Sequence, residues 1–300
     1  FYALYFCFGA FGNAVVGSPL YANVGFWFKK NPGLAIGITA AGGAAGQGIV
    51  PLVSTYLIKA YGWQDAYMYL SFMYLLILAP FSLLIKESPW RERARGAIND
   101  ELRDFPLSEK EVITWISCAV IFCCICMSVP IVHLIPLLTD ASFSEDFAAS
   151  VFLVLMMSGI VGRIFCGRLG DIIGALPSYI LMSIGQTISV IGFPYIDFKV
   201  GLFILAAAFG FTYSGVMSAI LVCARMMVSA KLAGRAMALV SFFGWLGMGL
   251  GGYFGGVFFD MKGDYTWSFQ FASLMGIVNL LILWQFHKRI KKQQKIVTAS

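Results

Sequence analysis

The 300-residue chain is 59% hydrophobic, only 12% charged and has a mean hydropathy of +0.81, against about 25% charge in an ordinary soluble domain. These values exclude a soluble domain, and they make nucleic acid an unsuitable partner in spite of a net charge of +6. What remains is an all-α polytopic membrane protein.

Nine apolar stretches are long enough to cross ~30 Å of hydrocarbon: residues 2–28, 34–58, 64–85, 113–138, 147–168, 175–196, 200–224, 234–259 and 266–287. The first begins in mid-span at Phe1, so the sequence reads as the remainder of a longer protein. The seven cysteines, Cys7, Cys118, Cys123, Cys124, Cys126, Cys166 and Cys223, all fall in these stretches. An odd number in that setting is no disulfide framework, and the single CxxC at Cys123 and Cys126 has no second pair with which to bind a metal.

Lysine and arginine are retained on the cytoplasmic side of membrane proteins. If the connection at 29–33 is cytoplasmic, 18 of the 21 basic residues fall on that side and only Lys59, Lys199 and Lys262 face out. Asp65, Asp140, Glu145, Asp146, Asp197, Asp260 and Asp264 collect opposite. This arrangement predicts a cytoplasmic C-terminus.

Residues 86–112 form the one long polar segment, read as a linker with a short surface helix. It separates three crossings (1–85) from six (113–287), and a basic tail (288–300) follows. Six crossings are a full repeat in several transporter folds, so the expected architecture is the last nine helices of a 6+6 bundle. Small residues four apart, at Gly33 and Gly37, Gly42 and Gly46, and along Gly244 to Gly256, predict close helix packing.

Three stretches carry a family resemblance. They are WFKKNPGLAIGITAAGGAAGQGIVP (27–51) with Gly62 and Trp63, the run Gly167-Arg168-Leu169-Gly170-Asp171 with Gly174, and residues 234–265. They resemble the monocarboxylate-porter-like branch of the major facilitator superfamily, with the middle run similar to the superfamily's G-x-L-x-D-x-x-G loop. The resemblance implies a major-facilitator-type bundle containing helices four to twelve of twelve. It also departs from the branch: Gly159 stands where relatives carry an aspartate one turn from the arginine, Ile172 replaces a basic residue after the loop aspartate, and the eleventh helix has no interior lysine.

The same resemblance makes Arg163 the counter-charge for a substrate carboxylate. Its planar fork of donors matches a carboxylate, and a charge within a span costs ~2.5–3.5 kcal/mol to insert; gate pairing and snorkelling to headgroups are the alternatives. Asp171, expected to open the ninth helix and to pair with Arg235, forms a gate together with Arg168, or is an ordinary loop charge. His133 is a proton-exchanging group or a packing histidine. Asn13, Asn23, Thr39, Gln47, Tyr213, Ser214 and Ser218 are candidate cavity linings, Asn23 and Tyr213 foremost, although membrane helices also use such residues as interhelical glue.

No nucleophile–base pair, Walker loop or metal-spaced cluster occurs, so neither a cofactor, a metal site nor an enzyme is expected. The reading is a multi-pass transporter of the inner or plasma membrane, moving a small organic anion, a monocarboxylate with a proton, by alternating access. An accessory membrane protein of unknown identity is a further expected partner. Anion exchange or efflux on the same fold, and a transporter-like receptor, are the alternatives.

Overall fold

The computed structural model describes residues 2–9, 14–28, 30–89, 105–229 and 231–299, and every regular element among them is helical. In chain order these are α1 (Tyr2–Cys7), α2 (Ala14–Trp27), α3 (Pro32–Ser82), α4 (Glu109–Asp140), α5 (Glu145–Ile173), α6 (Ala175–Gly192) with a 3-10 turn at Phe193–Tyr195, α7 (Lys199–Met226), α8 (Ala233–Lys262) and α9 (Thr266–Ala299). Of the segment 86–112, in which a short surface helix was expected, residues 90–104 lie outside the described residues.

Among the described residues seven helices, α3 to α9, are long and apolar enough to cross a membrane, where the sequence suggested nine crossings. The difference lies at the start of the chain. Of the first stretch, α1 and the 14-residue α2 are described, and residues 10–13 between them lie outside the described residues. The second and third stretches are joined in α3, whose 51 residues would make a straight rod of about 76 Å.

α3 is not straight. The side-chain amide of Asn23 donates to the Lys86 carbonyl and accepts from the Ser88 N–H, both at 2.9 Å. The chain between those anchors and the ends of α3 can reach no further than about 50 Å, so the helix folds back. Its break is Gly62, at φ 82 and ψ 166, a left-handed backbone that glycine adopts without a Cβ clash. The two limbs, 32–61 and 63–82, are each about one bilayer long.

Serine caps set where α4 and α5 begin. Ser108 accepts from the Glu111 N–H and Ser144 from the Phe147 N–H, both at 3.3 Å, and acidic residues fill both first turns, where the helix dipole favours them. α4 therefore starts four residues before the apolar run expected at 113. α5 also outlasts its expected end at 168. It continues through Gly167 and Gly170 to Ile173 and stops only at Gly174, φ 95. Asp171 consequently lies in the last turn of the eighth expected helix and does not open the ninth.

α5 packs against both α7 and the first limb of α3, α4 lies along α8, and α9 lies along α4 and α6. The α4–α8 seam is lined by Gly247, Gly251 and Gly255. A Cβ on Gly251 would stand 2.6 Å from the Ile125 carbonyl oxygen and 2.8 Å from the Ser128 Cβ, and one on Gly255 would stand 2.6 Å from the His133 ring. Gly33 and Gly37 serve the α3–α5 contact in the same way, but Gly42 and Gly46 meet nothing within 4 Å, so that expected packing pair is not one. Gly251→Leu should lower the unfolding temperature by several degrees, since overpacking costs about 1–3 kcal/mol. Gly249→Leu, a substitution into open space, should not, and a thermal scan in detergent separates them.

The basic segments gather at one end of the bundle. Glu109 accepts from the Ser229 N–H at 2.7 Å, and Arg289 pairs with Glu111 at 3.0 Å; this exposed pair contributes about 0–1 kcal/mol. At the opposite end Tyr265 stacks on Phe259, and its hydroxyl pKa is pushed up by burial and by the carboxylates of Asp140 and Asp260.

Candidate anion site and its gate

Arg163 projects from the middle of α5 toward the first limb of α3 and is 5% exposed. Nη1 donates to the Ala40 carbonyl at 2.6 Å, and Nη2 donates to Gln47 Oε1 at 3.3 Å. Gln47 Oε1 also accepts from the Tyr213 hydroxyl of α7 at 3.4 Å, and that hydroxyl lies 3.4 Å from Met156 Sδ. Tyr21 of α2 approaches too: a Cβ on Gly43 would stand 3.0 Å from Arg163 Nη1 and 3.9 Å from the Tyr21 hydroxyl. The guanidinium is thus held by α3 directly and linked to α7 through Gln47, and it is not snorkelling to the interface. Arg163 Nε is buried without a hydrogen-bond partner among the described residues.

One to two turns further along, α5 grips the start of α3. Asp171 Oδ1 accepts from the Gly33 N–H and Oδ2 from the Leu34 N–H, each at 2.8 Å. The first N–H groups of a helix lack partners within it. Pro32 has none to offer, Gly33 and Leu34 are bound by Asp171, and Ala35 makes the first backbone bond, to Asn31. Asp171 is therefore the N-terminal cap of α3, supplied from a helix 138 residues away.

Arg168 Nη1 completes the grip by donating to Asn31 Oδ1 at 2.6 Å. Asn31 is at φ 62 and does not cap α3 with its own side chain. Gly33, Gly37 and Gly167 allow this proximity, since a Cβ on Gly37 would stand 2.5 Å from the Arg163 carbonyl oxygen and 3.1 Å from the Gly167 Cα. The pairing expected between Asp171 and Arg235 is not formed: both carboxylate oxygens are engaged by α3, and Arg235 is exposed at the start of α8.

Two other expected site residues lie elsewhere. His133 Nε2 is 2.9 Å from the Gly252 carbonyl, an acceptor only, so that nitrogen carries the proton. Its ring packs on Tyr265 at 5.4 Å, which makes it a residue of the α4–α8 seam and not of the Arg163 cluster. Asn23 anchors the backbone at Lys86 and Ser88, as described above. Asn13 lies outside the described residues. Ser214 and Ser218 are fully buried, and Ser214 fills the space beside Gly159.

The sequence profile of the Major Facilitator Superfamily matches residues 1–218. The chain belongs to the Major Facilitator Superfamily. As a facilitator it is an integral, multi-pass membrane protein. It is similar to monocarboxylate transporter 13 of Bos taurus, 28% identical over 307 residues that cover 96% of this chain and 69% of that protein. With the Rattus norvegicus protein of the same name it is 28% identical over 87% of this chain and 61% of that protein. A shorter match, 34% identical over 101 residues, covers 33% of this chain and 18% of riboflavin transporter RibJ of Trypanosoma brucei brucei.

Within this facilitator the sequence had pointed to Arg163, Tyr213, Asp171 and Arg168, and the structure brings them into two adjoining clusters. Gln47 had stood among several polar residues of equal weight. Tyr21 had not been singled out, because one tyrosine in an apolar helix carries no pattern; only the position of its hydroxyl beside Gly43 marks it.

Proposed function

We propose that this facilitator is a secondary active transporter of small organic anions, moving a monocarboxylate together with a proton by alternating access. The observation that carries the reading is the buried Arg163, held between α3 and α5 with its Nε edge unmatched. A guanidinium so placed is costly unless an anion uses it, and its Nε–Nη2 edge has the geometry of a bidentate carboxylate partner. On this reading residues 1–85 and 113–287 belong to the two moving halves, 86–112 links them, and the basic end with the tail 288–300 is cytoplasmic. The Asp171–Arg168 grip on α3 closes that end until the halves rock apart.

A second reading, exchange of one anion for another, is favoured by Gly159. Its Cβ position is already occupied by Ser214 and stands 3.3 Å from the Gly210 carbonyl oxygen, so no carboxylate fits one turn from Arg163 to carry a proton. The test is uptake of labelled short monocarboxylates into vesicles, with and without an imposed pH gradient. Uptake that follows the gradient, and that falls at least tenfold in Arg163→Lys although charge is kept, is the expected result. Flux indifferent to the gradient and accelerated by internal anion selects exchange, and wild-type flux in Arg163→Lys removes the binding role.

A further inference from the structure

Resting on the anion-transport reading, we infer that Gln47 is a placeholder for the substrate carboxylate: its amide oxygen occupies the two donors, Arg163 Nη2 and Tyr213 Oη, that a bound carboxylate takes over. Three observations converge on it. The first is the shape of the donor set. Arg163 Nη1 is committed to the Ala40 carbonyl by a short bond of 2.6 Å, which leaves the side-on edge of the guanidinium, Nε with Nη2, as the available fork. Gln47 satisfies Nη2 alone, and Nε is buried and unmatched. One amide oxygen cannot serve both nitrogens at good geometry, whereas the two oxygens of a carboxylate can.

The second observation is the quality of the bonds that would be exchanged. Gln47 Oε1 receives its two hydrogen bonds at 3.3 and 3.4 Å, beyond the usual range for such donors, and its own side is uncharged. Charge-assisted bonds to a carboxylate are shorter and roughly twice as strong, so the incoming anion wins the competition. The third is access. Arg163 and Tyr213 are 5% and 2% exposed, while Gln47 and its neighbour Gly43 are exposed. Gly43 presents no side chain over Nη1, and Gly46 meets nothing within 4 Å. The glutamine therefore lies over the buried donors and has room to swing away from them. Its displacement also removes a link between α3 and α7, so binding the anion loosens one tie across the bundle while it makes another.

The placeholder role predicts opposite effects for two substitutions at one position. Gln47→Ala removes the competitor, and KM for pyruvate and L-lactate should fall about three- to tenfold, the value of one or two weak hydrogen bonds. Gln47→Glu supplies a resident carboxylate that matches both Nε and Nη2, and KM should rise at least tenfold. Binding of the same two anions to the purified full chain, read as thermal stabilisation, should show the same order without requiring turnover. If both variants impair binding alike, or both leave it unchanged, while Arg163→Lys abolishes uptake, Gln47 is structural and the placeholder role is overturned. If pyruvate and L-lactate are neither bound nor carried by the unsubstituted protein, the anion-transport reading itself fails, and this inference with it.

Discussion

Asp171→Ala is expected to lose nearly all uptake while the protein remains inserted in the membrane. The carboxylate holds the two N–H groups at the head of α3, at 2.8 Å each, and it faces the positive end of that helix dipole. Hydrogen bonds to a charged group contribute about 1.5–3 kcal/mol each; halved for the partial exposure of the site, the pair is worth about 1.5–3 kcal/mol. At 1.4 kcal/mol per tenfold, the closed end would be depopulated by about 10- to 150-fold. A carrier that alternates needs both states within reach of each other, so losing one stops the cycle. Asp171→Asn should fall between, because an amide offers one oxygen where the carboxylate offers two. The direct check is hydrogen–deuterium exchange at Gly33 and Leu34, whose amides should exchange faster in the order alanine, asparagine, aspartate. Unaltered exchange and uptake in Asp171→Ala would sink the gate.

Asp171 stood out in the sequence as a candidate gate residue but not as a cap, and the reason illustrates what sequence carries here. Apolar length and charge sidedness specify α4 to α9 because each is a property of one segment. The run from Gly167 to Asp171 looked like a turn since glycines near charges usually make one. In the structure Gly167 is small for a different reason: the backbone of α3 passes against it. That partner is distant in the chain, and nothing at 167 announces it. The same ambiguity divided Gly33 and Gly37, which pack, from Gly42 and Gly46, which do not, although both pairs have identical spacing. Asn23 was a candidate lining because polar side chains in membrane helices are conspicuous, and His133 was read as a proton-exchanging group or a packing histidine. Each is satisfied by a backbone group that only the folded chain brings near. Gly62 is the reverse case, since the expected connection at 59–63 is where α3 folds back, and the glycine within it makes the turn.

Gly37→Leu should abolish uptake and lower thermal stability, whereas Gly42→Leu, five residues on in the same limb, should do neither. Among the buried residues of that limb, Gly33, Gly37, Ala40, Ala44 and Gly48 recur at helical spacing along the face toward α5. Gly42 points away from it into open space. At position 37 even a Cβ would stand 2.5 Å from the Arg163 carbonyl oxygen, and leucine adds three carbons beyond that. Backbone cannot yield as a flexible side chain can, so the two helices must part. The cost is at the upper end of the 1–3 kcal/mol typical of overpacking. Separation also withdraws the Ala40 carbonyl and Gln47 from Arg163 together, leaving a buried guanidinium without partners, itself a destabilising arrangement. Uptake and a thermal scan of the two variants provide the comparison, and equal tolerance of both would mean that the first limb of α3 does not rest on α5. Loss confined to Gly37→Leu would tie the anion site and the gate to one contact, because the glycines that let α3 approach Arg163 also bring its N-terminus within reach of Asp171.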